Sequence, residues 1–301
     1  MGKFINPFTD FGFKKIFGQE ISKDLLIDFL NELLKGERII TDLTFLNSEQ
    51  LPEWEEGRSL IYDIYCQTDT GEKIIVEMQN KSQPYFKERA IYYLSYAVVQ
   101  QARRGNSWEF QIKAVYGVFF MNFQFSDTKE FRTDVILADR ITGELFSDKF
   151  RQIFIALPLF NKEEAECETD FERWIYILKN MSTLERMPFT ARKAVFEKLE
   201  EIGNVTSLSR EDQILYERSI NAYRTYVSVM RNERAEGFAE GRLEGHQEGL
   251  QEGHQKGRQE GILEGRQEGL TLAARRMKAM GIPAEDIQKA TGLTSEVINS
   301  L

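Results

Sequence analysis

Histidine is almost missing from this 301-residue chain: only His246 and His254 occur, both in a glycine-punctuated stretch near the C-terminus. The globular part therefore has no imidazole. That excludes Ser-His-Asp and Cys-His catalysis, histidine-based zinc sites and HNH-type nuclease chemistry from it. Cysteine is equally scarce. Cys66 and Cys167 form no CxxC pair, and Cys66 falls in an apolar β-rich run, so both read as packing residues. No uncharged apolar run of about 18 residues occurs and MGKFINPF lacks a signal-peptide core, so a cytoplasmic protein with no membrane partner is expected. Positive charge is in deficit too, with 39 Lys and Arg against 48 Asp and Glu, which argues against a general nucleic-acid coat. What remains for chemistry is carboxylates, amides, lysines and hydroxyls, and oxygen-only ligands select a hard cation such as Mg2+ or Mn2+.

Apolar and aromatic residues are plentiful, at 42% and 12%, enough for one core of roughly 200 residues plus accessories. The strongest signal is Ser59 to Asn80, SLIYDIYCQTDTGEKIIVEMQN. Two β-rich runs, Leu60–Gln67 and Lys73–Gln79, flank Asp69, Thr70 and Gly71, a three-residue loop that Gly71 closes in the left-handed conformation. If Thr68 pairs with Glu72, Asp63 falls opposite Glu77, their Cβ atoms ~5 Å apart. Gln79 then shares their face with Ile61, Tyr65 and Ile75, while Leu60, Tyr62, Ile64, Ile74, Val76 and Met78 line the other. Opposed carboxylates among apolar neighbours need a cation, a shared proton or a solvent opening, and a metal is the economical answer. The alternative is a two-residue Thr70-Gly71 loop, which shifts the register by one and leaves the acids on opposite faces of a solvated hairpin.

Upstream, Asn6-Pro7 reads as a turn and Thr9 or Asp10 as the N-cap of a helix carrying Phe13, Ile16 and Phe17, with Lys14 and Lys15 off that stripe. Asp10 has a second reading, as an acid brought near the hairpin. A helix over Ser22 to Leu34 and a strand over Ile39–Asn47 follow. Beyond the hairpin, residues 81–104 hold Lys81, Lys87, Arg89, Arg103 and Arg104 against Glu88 alone, a local basic strip suited to a phosphate backbone. A helix from Ser82 to Arg104, starting at Pro84, sets Ile91, Leu94, Ala97 and Val98 on one stripe and Arg89, Tyr93, Tyr96, Gln100 and Arg103 on another. Strands are expected over Ile112–Phe125, Phe131–Asp139 and Phe150–Leu157, then helices over Phe171–Asn180, Pro188–Ile202 and Glu211–Arg234. The pattern is α/β, with one helix crossing over between strands.

Glycine then recurs at every fourth position from Gly237 to Gly269. On a helix such a row drifts about 40° per repeat, and each glycine costs roughly 1 kcal/mol against alanine. A flexible spacer, a helix stabilised by self-association and a partner-specific device all remain open. The ending GIPAEDIQKATGLTSEVI resembles a helix-turn-helix, its last helix offering only Ser295, Glu296, Asn299 and Ser300 to a base edge. A folded cap or interaction module is the preferred reading.

Asp63, a turn and Glu77-Met78-Gln79 resemble the PD-(D/E)XK nuclease signature in its E-x-Q form. With TDFGFKKIFG, the Arg89/Tyr93 helix, the glycine repeat and the ending, the chain resembles the Rpn (recombination-promoting nuclease) / putative transposase family of bacteria over essentially its whole length. The resemblance implies a restriction-endonuclease-like mixed sheet flanked by helices in residues 1–160. A helical extension over 161–235, the repeat over 236–270 and a small helical unit over 271–301 would follow. It also implies a Mg2+- or Mn2+-dependent DNA endonuclease that promotes recombination, with Asp63, Glu77 and the Met78 backbone carbonyl as metal ligands and Gln79 in the catalytic set. Asp10, Lys81 and Lys87 are supporting candidates, and Arg89, Tyr93 and Arg103 are candidates for DNA contact. A homo-oligomer, a dimer through core or tail, is expected. The competing reading is a catalytically weak DNA- or protein-binding platform oligomerised by the tail. A full transposase is less attractive, because one carboxylate pair and no evident end-recognition domain are present.

Overall fold

Thr9 opens the first helix as its sequence position suggests, its Oγ1 accepting from Gly12 N and donating to Asn6 O. Asp10 is the first helical residue, and ion-pairs with Lys14 at 2.7 Å. The structure is a computed structural model that describes residues 2–50, 59–102, 109–124 and 129–301. Helices α1 (Asp10–Phe17) and α2 (Lys23–Leu33) precede strands β1 (Leu43–Phe45) and β2 (Glu49–Gln50). Strands β3 (Leu60–Ile61), β4 (Ile64–Thr68) and β5 (Lys73–Gln79) lead to α3 (Phe86–Val99). Then come β6 (Val115–Met121), β7 (Arg132–Ala138), β8 (Leu145–Ala156), α4 (Asp170–Asn180) and α5 (Ala194–Gly203). The last helices are α6 (Arg210–Ala279), α7 (Ala284–Thr291) and α8 (Ser295–Ser300).

Six strands form one mixed sheet in the order β1-β4-β5-β6-β8-β7, while β2 and β3 make a separate short pair. Strand β5 pairs antiparallel with β4 and parallel with β6, so α3 is the crossover that parallel pairing requires. One face is covered by α1, α2, α4 and α5, where Phe17, Phe29, Phe120 and Trp174 interlock with ring centroids 5.2–6.2 Å apart. The other face packs Tyr65, Ile75, Val115 and Phe119 against Phe86, Ala90 and Leu94 of α3. Gly117 permits that approach: a Cβ there would lie 2.6 Å from Leu94 Cδ1.

The chain divides into two compact units, residues 1–225 and 226–301, the division falling inside α6. In the first unit, Tyr216 and Ile220 of α6 are buried in the core, and Tyr216 OH accepts from Asn6 N at 3.0 Å. In the second, the glycine repeat is continuous helix, which overturns the flexible-spacer reading; the residues between the glycines are mostly strong helix formers. A Cβ added at any of its nine glycines would meet nothing within 4 Å. Ala274, Ile287, Leu293 and Ile298 then form a small core of their own, and Lys278 Nζ donates to the carbonyls of Ile298 and Asn299 at the end of α8.

Several expected elements change. The helix expected from Pro188 starts at Ala194, after Phe189 takes a left-handed φ of 64°. Tyr85, also left-handed at φ 61°, delays α3 to Phe86, and Ile91 is half exposed rather than core. The strand expected over Ile39–Asn47 shortens to Leu43–Phe45, whereas β8 begins five residues before Phe150.

Candidate active site

The register of β4 on β5 is the one set by a three-residue turn. Ile64 opposes Val76, Tyr65 opposes Ile75, Cys66 opposes Ile74 and Gln67 opposes Lys73. Gly71 takes φ 97°, and Thr68 N donates to Glu72 O at 2.9 Å. One step further along, Asp63 comes opposite Glu77. The first run is not continuous, however: it breaks at Tyr62–Asp63 into β3 and β4. The bend puts Tyr62 and Leu60 on the Tyr65 side of the sheet and leaves Ile61 exposed, contrary to strict alternation.

That break makes the site. Asp63 Oδ2 accepts from Met78 N at 2.8 Å, and Glu77 Oε1 accepts from Asp63 N at 3.1 Å, so the two acids are tied reciprocally through backbone amides. Along β5 the odd-numbered groups bond to β6, as in Lys73 N to Ala114 O and Asn122 N to Gln79 O. Even-numbered groups, including the Met78 carbonyl, therefore face β4. Tyr62, the residue that would continue the ladder there, instead donates its N–H to Ser48 O at 3.0 Å. The Met78 carbonyl is thus turned to the Asp63 side just where the ladder ends.

Burial dominates the electrostatics. Glu77 is 3% exposed, and its carboxyl is pushed up to about 8, first by burial and then by the charge of Asp63. Asp63 is also raised, chiefly by burial, against the pull of the Met78 N–H. Gln79 Nε2 donates to Glu77 Oε2 at 2.9 Å, while its Oε1 accepts from Arg89 Nη2 at 2.5 Å. Gln79 thereby couples the cation to the acid. Arg89 lies over the Phe86 ring at 5.5 Å and the Tyr93 ring at 5.9 Å, and Tyr62 OH donates to the Tyr93 carbonyl at 3.1 Å. From the opposite side of the sheet, Lys14 favours the Asp63 carboxylate and Asp10 opposes it.

The donor set consists of two carboxylates with raised pKa values and a backbone carbonyl, oxygen only, and it fits a hard divalent cation. Among the described residues no group of three or more His, Cys, Asp or Glu could hold a metal, so the carbonyl rather than a third acid would complete this set.

The remaining candidates scatter around this centre. Asp10 is exposed and engaged with Lys14. Lys81 and Lys87 are exposed before and within the first turn of α3. Arg103 lies outside the described residues. Lys14 was not legible as a site residue, because its place off the apolar stripe reads equally as solvated surface; its i,i+4 spacing to Asp10 was the available sign. Also missed was a chain of amides, in which Asn80 Nδ2 donates to Phe8 O at 2.7 Å and Asn122 Nδ2 reaches Asn80 Oδ1 and Tyr223 OH at 3.4 Å. It joins the end of β5 to the N-terminal segment and to α6.

Comparison with curated proteins and with solved structures gives no match. The family model for the PD-(D/E)XK nuclease family transposase, in contrast, matches residues 7–233, from the turn before α1 through the part of α6 that packs on the core of the first unit. A match of that extent takes in every element that builds or braces the carboxylate hairpin, and the chain belongs to the PD-(D/E)XK nuclease family transposases.

Proposed function

We propose that the protein is a divalent-metal-dependent DNA endonuclease that hydrolyses phosphodiester bonds and promotes DNA recombination. The carrying observation is the pair of opposed acids, the buried Glu77 of β5 and the half-buried Asp63 just before β4, each accepting from a backbone amide of the other run. Asp63, Glu77 and the Met78 carbonyl would hold Mg2+ or Mn2+. Bound there, the cation supplies Lewis acidity at the scissile phosphate and a water of lowered pKa. Gln79, held by Arg89, would orient a nucleophilic water through its amide. Arg89 from α3 and Lys14 from α1 bring positive charge to the two sides of the acids, in place of the lysine that the signature carries at position 79. Arg89 and Tyr93 form a cation-aromatic surface suited to a phosphate backbone, with Lys81 and Lys87 beside it. Residues 1–160 form the catalytic core in this reading, 161–235 its helical brace, and 236–270 and 271–301 a C-terminal tail, with copies associating through core or tail.

The test is nicking of supercoiled plasmid with Mg2+, Mn2+ or EDTA. Cleavage should require metal and disappear in Glu77→Ala. The neutral Gln79 favours one alternative, a platform that binds DNA without cutting it. Metal-independent DNA binding by a folded protein with no nicking under any condition would establish that alternative instead.

A further inference from the structure

The two edges of the sheet are treated differently. Strand β1 is three residues long and flanked by the Lys23–Asp42 ion pair at 2.8 Å, a short and charged edge of the kind that discourages pairing. Strand β7 is seven residues long and ends the sheet on the other side. It carries Val135, Ile136 and Leu137 in succession, each 43–46% exposed on alternating faces, with no proline or lysine among its residues. Beside them Leu145 and Phe146 of β8 are 57% and 83% exposed. Exposure on both faces means that little packs above or below this part of the strand, and among the described residues β8 is the only strand beside it, which leaves its other edge open.

We propose that β7 is an interface at which a second copy of this chain pairs antiparallel with its own β7, joining two six-stranded sheets into one. The hydrogen-bonding alternation fixes the register. Phe131 O accepts from Ala156 N, so odd-numbered residues of β7 bond inward to β8 and Arg132, Asp134 and Ile136 turn their N–H and C=O groups to the open edge. A two-fold axis through Val135 pairs Asp134 with Ile136 and Arg132 with Ala138 of the other copy, satisfying the outward groups reciprocally. Val135 then meets Val135, and the same register sets Glu130 towards Arg140 at each end. Lys129, Arg132 and Arg140 balance Glu130, Asp134 and Asp139, so the strip is neutral, which suits a second copy and not a polyanion.

The test uses the full chain. Val135 would sit at a non-hydrogen-bonded pair, where opposed Cα atoms approach to about 4.5 Å, within disulfide reach. Under mild oxidation Val135→Cys should form a covalent dimer on a non-reducing gel, while Ile136→Cys, one residue out of register, should not. Ile136→Pro removes an outward N–H without breaking the ladder to β8, and should lower the mass in light scattering two-fold with an unchanged far-ultraviolet spectrum. A Val135→Cys protein that stays uncrosslinked with a titratable thiol overturns the proposal. So does a mass unaltered by Ile136→Pro, as would follow if the tail alone held copies together. If Ile136→Pro unfolds the chain, the cysteine pair decides.

Discussion

Glu77 carries its cost in the metal-free protein. Its carboxyl titrates at about 8 in the fold against an ordinary 4.5, so the folded state holds the proton more tightly than the unfolded chain. The stabilising effect of that proton is complete below the unfolded value and is lost as pH rises through the folded one. Thermal melts in EDTA should therefore fall in midpoint between pH 4.5 and about 8, and Glu77→Gln should flatten the profile. Added Mg2+ should flatten it as well, because a cation favours the charged pair. A wild-type midpoint that is level over this range would mean that the acids are not strained. Arg89 acts through the neighbouring amide, and its loss removes both a charge and the anchor of Gln79. Arg89→Ala should slow plasmid nicking about tenfold or more, corresponding to ~1.4 kcal/mol of transition-state stabilisation, with partial recovery in Arg89→Lys. Lys14→Ala should slow nicking similarly, and Lys81→Ala and Lys87→Ala less, a ranking that parallel time courses would reveal.

At the level of elements, α3 can deliver Arg89 only if it lies close on β6, and Gly117 sets that distance. A methyl at 117 would press Leu94 and the Phe119 ring, whose Cε2 is 2.7 Å from the position it would occupy. Gly117→Ala should destabilise the fold by about 1–3 kcal/mol in urea titrations and depress nicking beyond the loss of folded protein. The hairpin register was legible because Gly71 and the turn length determine it locally. The break at Tyr62–Asp63 was not, since it depends on Ser48 capturing the Tyr62 amide from another part of the chain. The same limit explains α3: its apolar residues suggested a stripe through Ile91, but the helix rolls so that Phe86, Ala90 and Leu94 meet the sheet. Asp63 and Glu77 could be paired from sequence, whereas Lys14 and the Asn80–Asn122–Tyr223 chain belong to tertiary neighbours with no spacing rule between them.

For the molecule as a whole, the family match stops at residue 233, and the α6 residues packed on the core of the first unit run no further than Tyr223 among the described residues. A chain ending at Glu236 should therefore unfold cooperatively, with a midpoint close to that of full-length protein, and retain metal-dependent nicking; calorimetry and the plasmid assay check both. The clamp on α1 bears on the order of events during synthesis. Asn6 waits for the hydroxyl of Tyr216, Phe11 N for Ser219 Oγ, and Lys15 for Asp212, across separations of 210, 208 and 197 positions. A ribosome that has released both acids has yet to make the helix that braces them. The nascent polypeptide thus carries the two acids long before it can hold them in place, and a message truncated ahead of α6 would give a product with the motif but without the brace.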